Sequence, residues 1–283
     1  MKVLITGATG TLGRKVINKL LERGGIEILG ISRDEQKQRT MPKHPNLTMR
    51  LADIRFLDSL DSAVRTTYDV VGHFAALKCV DTLEENPMEA ILTNINGTRN
   101  VMHLTSIYPQ GKLVLASTDK AVFPINTYGH TKALAEKITL QDPKNVVCRY
   151  GNVLGSRGSV VPAFIRSLKD HNCIEITDPA MTRFWLTTDQ AADFVIRHML
   201  SPQSTGLAIP NIKAAKVVDV GRMIGKILGV RDFSIKTIGI RPGEKLHECL
   251  EPGVESNSCD QLTDDELHDL LYPLVVSELG KMN

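Results

Sequence analysis

Lys2-Val3-Leu4-Ile5-Thr6-Gly7-Ala8-Thr9-Gly10-Thr11-Leu12-Gly13 decides the fold of this chain. Its first half is a short apolar run, the pattern of a buried strand. Immediately after it, Leu12–Arg23 places Leu12, Val16, Ile17, Leu20 and Leu21 on one helical face. Between the two lies Gly-x-x-Gly-x-x-Gly. Glycines there permit a tight turn and let the backbone approach a pyrophosphate, while the helix N-terminus offers free N–H groups and a partial positive charge. A strand, a glycine-rich turn and a helix in this order are the opening of a dinucleotide-binding unit. Gly7, Thr9, Gly10, Thr11, Leu12 and Gly13 are the candidate cofactor contacts.

Outward from this turn, strands alternate with helices. Strands are expected at Glu27–Ser32, Leu47–Ala52, Val70–Phe74, Lys112–Ala116 and Val146–Arg149, and helices at Phe56–Arg65, Pro87–Ser106 and Tyr128–Leu140. Such alternation implies a parallel sheet covered on both faces, a Rossmann-type doubly wound α/β fold. After Arg149 the pattern loosens. Helices are expected at Asp189–Leu200 and Val217–Leu228, and strands at Ile174–Thr177 and Ser234–Thr237. We assign residues 1–150 to a nucleotide-binding domain. Residues 151–283 form mainly a smaller substrate-binding cap, with some elements returning to the Rossmann core. Asp264, Asp265, Glu266 and Asp269 read as a solvated helix face.

The chain has 283 residues, 42% hydrophobic and 23% charged, enough for one large domain or two small ones. A net charge of +2 gives no bulk signal for nucleic acid. No apolar run reaches the roughly 18 residues of a membrane span, and the N-terminus lacks a signal-peptide pattern. Five cysteines (Cys79, Cys148, Cys173, Cys249, Cys259) are scattered without C-x-x-C spacing. They read as reduced thiols of a cytoplasmic protein, not as a disulfide framework or zinc site. His130 and His247 have no metal-ligand spacing, so no metal is expected.

The second strand ends Gly30-Ile31-Ser32-Arg33-Asp34, with Lys37 one helical turn beyond Arg33. Ser32, Arg33 and Lys37 suit a ribose 2′-phosphate, which favours NADP over NAD. Asp34 can hold a 2′-hydroxyl or cap the next helix. Asp53 stands where adenine recognition is plausible, or caps the helix before Phe56. Further on, Tyr128-Gly129-His130-Thr131-Lys132 puts a phenol and an ammonium on one helix face. A cation beside a tyrosine favours the phenolate, which suits a base that takes the proton of an alcohol undergoing oxidation. Ser117-Thr118-Asp119-Lys120 adds an acid and a second amine. Oxidoreduction does not need them. They suggest a further proton transfer such as loss of water, unless Asp119 merely caps a turn and Lys120 is a surface cation.

The glycine turn, Tyr128-x-x-x-Lys132 and the alternating pattern together resemble the extended short-chain dehydrogenase/reductase superfamily. Further segments narrow the resemblance: Ala75-Ala76-Leu77-Lys78, Asn86-Pro87-Met88-Glu89, Thr93-Asn94-Ile95-Asn96-Gly97-Thr98, Ser117-Thr118-Asp119-Lys120-Ala121, Arg149-Tyr150-Gly151-Asn152-Val153, Gly155-Ser156-Arg157-Gly158-Ser159, Thr177-Asp178-Pro179-Ala180-Met181-Thr182-Arg183-Phe184-Trp185 and Arg241-Pro242-Gly243-Glu244-Lys245. From Met1 to about Glu248 the chain is similar to the soluble, C5-inverting UDP-N-acetylglucosamine 4,6-dehydratases, which supply precursors of pseudaminic acid and related sugars. It departs from them in Gly7-Ala8 where Gly-Gly is usual, in Cys79 where histidine is usual, and in a shorter region after Glu248.

The resemblance implies a cycle on a UDP-sugar with tightly held NADP. Tyr128 takes the 4-hydroxyl proton, Lys132 lowers the tyrosine pKa and holds the nicotinamide ribose, and Thr118 hydrogen-bonds O4. Lys120 is then the C5 base, kept neutral by burial and by Lys132, and Asp119 protonates the leaving 6-hydroxyl. Ile54, Ala75, Ala76, Lys78 and Asn94 are implied at the cofactor, Lys78 also at the substrate. Asn152, Thr177, Arg183, Arg241 and Glu244 are implied at the nucleotide end, the arginines as diphosphate clamps. Trp185 reads as core and not as a stacking platform. A homo-oligomer, dimer or hexamer, is implied as well. A nucleotide-sugar 4-epimerase or 4-keto reductase would need Tyr128 and Lys132 but not Asp119-Lys120. A non-catalytic NADP-sensing protein would need neither pair.

Overall fold

Strand β1 (Lys2–Thr6) carries Val3, Leu4 and Ile5 without solvent exposure, as a strand buried on both faces must. The computed structural model describes residues 1–107, 111–156 and 159–282, so Arg157 and Gly158 of the quoted motif lie outside the described residues. After β1 come α1 (Thr11–Arg23), β2 (Glu27–Ser32), α2 (Glu35–Arg39), β3 (Leu47–Leu51), α3 (Leu57–Ala63), β4 (Val70–His73), α4 (Val80–Glu85), α5 (Pro87–Ala90), a π-helical stretch (Ile91–Asn96) and α6 (Gly97–Ile107). Then follow β5 (Lys112–Thr118), a single 3-10 turn (Asp119–Ala121), α7 (Thr127–Thr139) and β6 (Val146–Tyr150). The chain continues through β7 (Asn152–Leu154), α8 (Val160–His171), β8 (Cys173–Ile176), β9 (Thr182–Thr187), α9 (Thr188–Leu200) and β10 (Gly206–Ala208). It ends with β11 (Ala214–Lys216), α10 (Val217–Ile227), β12 (Ser234–Thr237), β13 (Cys249–Glu251), β14 (Val254–Glu255) and α11 (Asp264–Met282).

Seven strands form one sheet in the order β10-β6-β5-β4-β1-β2-β3. The pairs β1–β2, β2–β3, β1–β4, β4–β5 and β6–β10 are parallel. This is the doubly wound α/β fold expected from the alternation. The strand order reverses between β1 and β4, and in open α/β sheets ligands bind outside the carboxyl ends of the strands at such a switch point. The helices bury the faces that their spacing marked: α1 turns Val16, Ile17 and Leu20 into the interior.

The chain divides into two compact units, Met1–Arg149 with Asp189–Pro210, and Tyr150–Thr188 with the chain from Asn211 onward. The second unit has its own apolar core, built from α8, α10, α11 and the strands between them, around Phe164, Ile165, Ile174, Ile224, Leu271 and Val275. Trp185 belongs to this core and donates its indole N–H to the Ala215 carbonyl at 3.2 Å. Helix α11 opens on a capping box: Thr263 N–H donates to Glu266 Oε2 at 3.0 Å, and Glu266 N–H to Thr263 Oγ1 at 3.3 Å.

One local expectation is corrected, and one helix was not anticipated. The single helix expected over Pro87–Ser106 is broken by the π-helical stretch, in which Thr93 and Asn94 are buried. Helix α8 escaped the sequence reading because Pro162 interrupts it. In the first turn a proline is tolerated, and behind it Val161, Phe164, Ile165 and Leu168 keep the spacing of a core-facing stripe.

Candidate active site

At the switch point the turn after β1 passes close to the turn after β4. Gly7 has φ +68°, and a Cβ there would lie 2.6 Å from Ala75 N. Any side chain would therefore drive the two turns apart. Gly10 is the N-cap of α1, no side chain caps this helix, and no acidic residue stands in its first turn. The free N–H groups behind Gly10 are thus open to an anion, as the pyrophosphate of a dinucleotide requires.

The end of β2 is more occupied than its sequence suggests. Asp34 caps α2, accepting from Lys37 N–H at 2.9 Å, and its carboxylate also pairs with the Lys37 ammonium. Ser32 Oγ accepts from Asp34 N–H at 3.3 Å and from Gln38 Nε2 at 3.4 Å. Arg33 is about half exposed, at 47%, and reaches Asp53 only at 3.8 Å, so its guanidinium is the cation best placed for a 2′-phosphate. Asp53 does not cap α3, whose N-cap is Phe56. It accepts instead from Arg55 N–H at 3.0 Å and pairs with the Arg55 guanidinium at 2.6 Å. Burial pushes the Asp53 carboxyl up, but the Arg55 hydrogen bonds and the Arg55 and Arg33 charges outweigh it and hold the group below its usual range. Ile54 is buried against Gly97, and its carbonyl accepts from Asn100 Nδ2 at 2.9 Å. Ala75 and Ala76 form the turn after β4, and Lys78 is exposed beside them.

Asn94, expected at the cofactor, spends its carboxamide on protein groups. It accepts from Leu77 N–H at 2.8 Å and donates to the Leu77 carbonyl at 2.9 Å and to Thr131 Oγ1 at 3.0 Å. It holds the turn that carries Lys78.

The end of β5 and the start of α7 bring Thr118, Asp119, Lys120 and Tyr128 together. Gly129 makes this possible, because a Cβ there would strike the Lys120 carbonyl. Asn126 caps α7 through Gly129 N–H at 2.7 Å. Asp119 is fully buried; its Oδ1 accepts from Thr118 Oγ1 at 2.9 Å and from Lys120 Nζ at 3.1 Å, while its Oδ2 has no hydrogen-bond partner. Burial raises the Tyr128 phenol to about 12, against the Lys120 charge and a hydrogen bond with Thr118, with Asp119 and Glu136 adding to the rise. Two expectations change here. The cation that favours the Tyr128 phenolate is Lys120, whereas Lys132 donates to the Ala116 carbonyl at 2.8 Å and is itself pushed down to about 8 by burial, with Glu136 opposing. Lys120, expected neutral, forms an ion pair with Asp119 at 3.1 Å.

Sequence reasoning missed two groups beside this site. Glu136, one helical turn after Lys132, accepts from Ser117 Oγ at 2.6 Å and pairs bidentately with Arg149 at 3.0 and 2.5 Å. Its signal was the continuation of the Tyr128–Lys132 face by a further four residues. His73 gave no such signal, standing alone in an apolar strand. It is buried, and desolvation, with the Lys132 charge, lowers it to about 3. The unfolded chain protonates this imidazole near 6.5. Between about 6.5 and 3 the unfolded state therefore binds more protons, and stability falls as pH drops through that window. Urea unfolding at pH 7.5, 6.0 and 5.0 should show a flatter pH slope for His73→Gln than for the wild type. Equal slopes would mean that the imidazole is not held neutral.

In the second unit, taken by itself, Arg183 is a surprise. Its guanidinium donates to the carbonyls of Thr182, Leu246 and Lys245 at 2.7, 3.1 and 2.8 Å and lies 3.5 Å from Glu244. Only 6% of the side chain is exposed, so it braces the segment after Gly243 and presents no open fork to a diphosphate. Arg241 is exposed on that segment, and the Glu244 N–H donates to its carbonyl at 3.1 Å. Thr177 is buried with its hydroxyl on Met181 Sδ at 3.3 Å, and Asn152 is half-buried on β7. Among the described residues no group of histidine, cysteine or carboxylate side chains is placed to hold a metal, and no helix is long and apolar enough to cross a membrane.

The sequence profile of the family described as polysaccharide biosynthesis protein matches residues 3–266. A UDP-glucose 4-epimerase of Rickettsia bellii is 37% identical over 275 residues, which is 92% of this chain and 80% of the relative. The X-ray structure of Pen from Bacillus thuringiensis superposes with a TM-score of 0.88 at 29% identity, covering 96% of this chain and 97% of that one. DesIV, a dTDP-glucose 4,6-dehydratase from Streptomyces venezuelae solved with NAD and TYD bound, shares the fold with a TM-score of 0.83 at 19% identity, covering 99% and 98%. The chain belongs to the polysaccharide biosynthesis protein family, built on the extended short-chain dehydrogenase/reductase fold.

Proposed function

We propose that the protein is an NADP-dependent nucleotide-sugar 4,6-dehydratase that converts UDP-N-acetylglucosamine to a 6-deoxy-4-keto sugar with inversion at C5. The observation that carries this reading is the Asp119–Lys120 pair, hydrogen-bonded to each other and to Thr118 beside Tyr128. Residues 1–150 would hold NADP, and the second unit would take the uridine diphosphate, with Arg241 and Glu244 as the candidate contacts.

NADP, when bound, supplies the acceptor for hydrogen from C4 and its donor to C6. Tyr128 takes the proton of the 4-hydroxyl, with Thr118 as its hydrogen-bond partner. The ketone at C4 then acidifies the C5 hydrogen. In the ion pair, Lys120 is an ammonium and Asp119 a carboxylate, the wrong way round for elimination. Passing one proton across their 3.1 Å contact gives a neutral amine and a carboxylic acid at no change in net charge. The amine removes the C5 proton, the acid protonates the departing 6-hydroxyl, and water leaves. Lys120 returns its proton to C5. Tyr128 then holds one proton too many and Asp119 one too few. Thr118, bonded to both, is the path that restores the balance.

The test is incubation with UDP-N-acetylglucosamine in D₂O without added cofactor, followed by NMR. Loss of water with deuterium at C5 is expected, and the C5 couplings report inversion. The curated relatives named as 4-epimerases favour a second reading, C4 epimerisation. A C4 epimer formed without loss of water would establish that reading and sink the dehydratase. No product even with NADP⁺ added would sink both.

A further inference from the structure

His73 has no part in the chemistry just described, yet it lies in the middle of a buried chain of hydrogen bonds whose every donor is fixed. Thr98 Oγ1 donates to the Asn94 carbonyl at 2.7 Å. At its 3.0 Å contact with His73 Nε2 it must therefore accept, which places the ring hydrogen on Nε2. Nδ1 is then a lone pair, and Thr6 Oγ1 donates to it at 2.6 Å while accepting from Ala75 N–H at 3.4 Å. That acceptor is the Asn94 backbone carbonyl, and the carboxamide of the same residue starts the second link: it donates to Thr131 Oγ1 at 3.0 Å, and Thr131 donates to the Tyr128 carbonyl at 2.9 Å. A neutral imidazole is the side chain that can accept at one end and donate at the other with this reach. The chain begins at Thr6 and Ala75, which flank the Gly7 turn, and ends on the first turn of the helix that carries Tyr128.

We propose that His73, fixed as the Nε2–H tautomer, is a positioning residue that sets the nucleotide turn and the tyrosine helix at one distance from each other. Its kinetic consequence rests on the dehydratase reading; its structural consequence does not. A displacement of about 1 Å between reacting groups can cost on the order of 10²-fold in rate, so this spacing matters to any reaction shared between the turn and Tyr128.

Three measurements test it. Long-range ¹H–¹⁵N NMR of the ¹⁵N-histidine-labelled protein at neutral pH, with His73 assigned by its loss in His73→Gln, is expected to show a neutral Nε2–H ring. An Nδ1–H ring, a tautomer mixture or a charged ring would overturn the proposal. Backbone hydrogen exchange is expected to quicken both at Ala75–Leu77 and in the first turn of α7 in His73→Phe and in Thr131→Val. Unchanged protection in either segment overturns it, whatever the reaction proves to be. On UDP-N-acetylglucosamine, each variant should lose roughly 10-fold to 10²-fold in kcat with little change in KM, and the double variant should be no worse than the worse single, as parts of one unit behave. Additive losses, or a lowered melting temperature with normal kcat, would also overturn it. Should His73→Phe not fold, Thr98→Val cuts the same chain and leaves the imidazole in place. A wild type that leaves the sugar unchanged refutes the dehydratase reading and leaves the NMR and exchange results to decide.

Discussion

Asp119→Asn lowers turnover of UDP-N-acetylglucosamine by about 10²- to 10⁴-fold, the usual contribution of a general acid, and leaves the fold intact. The carboxamide fills the same buried space and can still accept from Thr118, but it cannot receive the proton that Lys120 must hand over or pass one to the leaving hydroxyl. Lys120→Ala suffers a loss of similar size for a different reason, and the two losses can be told apart in D₂O. In the first variant Lys120 has lost its carboxylate partner and gives up that proton to solvent instead, so the C5 hydrogen still exchanges once C4 is oxidised, while water is not lost. The second loses both exchange and elimination, and it also removes the cation that favours the Tyr128 phenolate. Near-normal turnover in both variants would exclude this pair from the chemistry. It would be the result expected of a 4-epimerase, which needs only Tyr128 and Lys132.

The sheet was legible because its causes are local. An apolar strand, a glycine turn and an amphipathic helix each announce themselves within a dozen residues, and β2 and β12 fall on the residues their pattern marked. The catalytic segment was legible as a set of residue types, but its electrostatics were not. Both lysines lie near Tyr128 in sequence, and only the fold decides that Lys132 turns to the Ala116 carbonyl while Lys120 faces the phenol. Arg183 was misread for a related reason. A guanidinium in a loop motif has the chemistry of a phosphate clamp, but it also has the chemistry to bind three carbonyls, and burial selects the second. The π-helical stretch left no trace, because its register depends on Asn94 reaching Leu77, a partner in another part of the chain. Groups whose roles are set by partners distant in sequence are the ones that composition and spacing do not reveal.

Such a distant partnership carries the largest expected effect on stability. Arg149→Met should cost about 3–5 kcal/mol, the range for removing one member of a buried ion pair. Glu136 keeps 7% of its side chain exposed and Arg149 12%, so the carboxylate left behind cannot be rehydrated without opening the site. Among the described residues it would retain the Ser117 hydroxyl at 2.6 Å and the neighbouring Lys132 charge. Arg149→Lys should fall between wild type and Arg149→Met, since an ammonium cannot reproduce the two-point contact. Adding Glu136→Gln to Arg149→Met should recover part of the loss, because the stranded charge is then gone, and the double-mutant cycle will show strong coupling. Glu136→Gln alone removes the carboxylate that holds Lys132 up, so the Lys132 pKa should move below about 8. Denaturation is best followed by far-UV circular dichroism, because the one tryptophan, Trp185, reports the other unit. A loss under about 1 kcal/mol for Arg149→Met, the scale of an exposed pair, would mean that the guanidinium does not sustain the Glu136 charge. The end of β5 that bears Thr118 and Asp119 would then have to be held by something else.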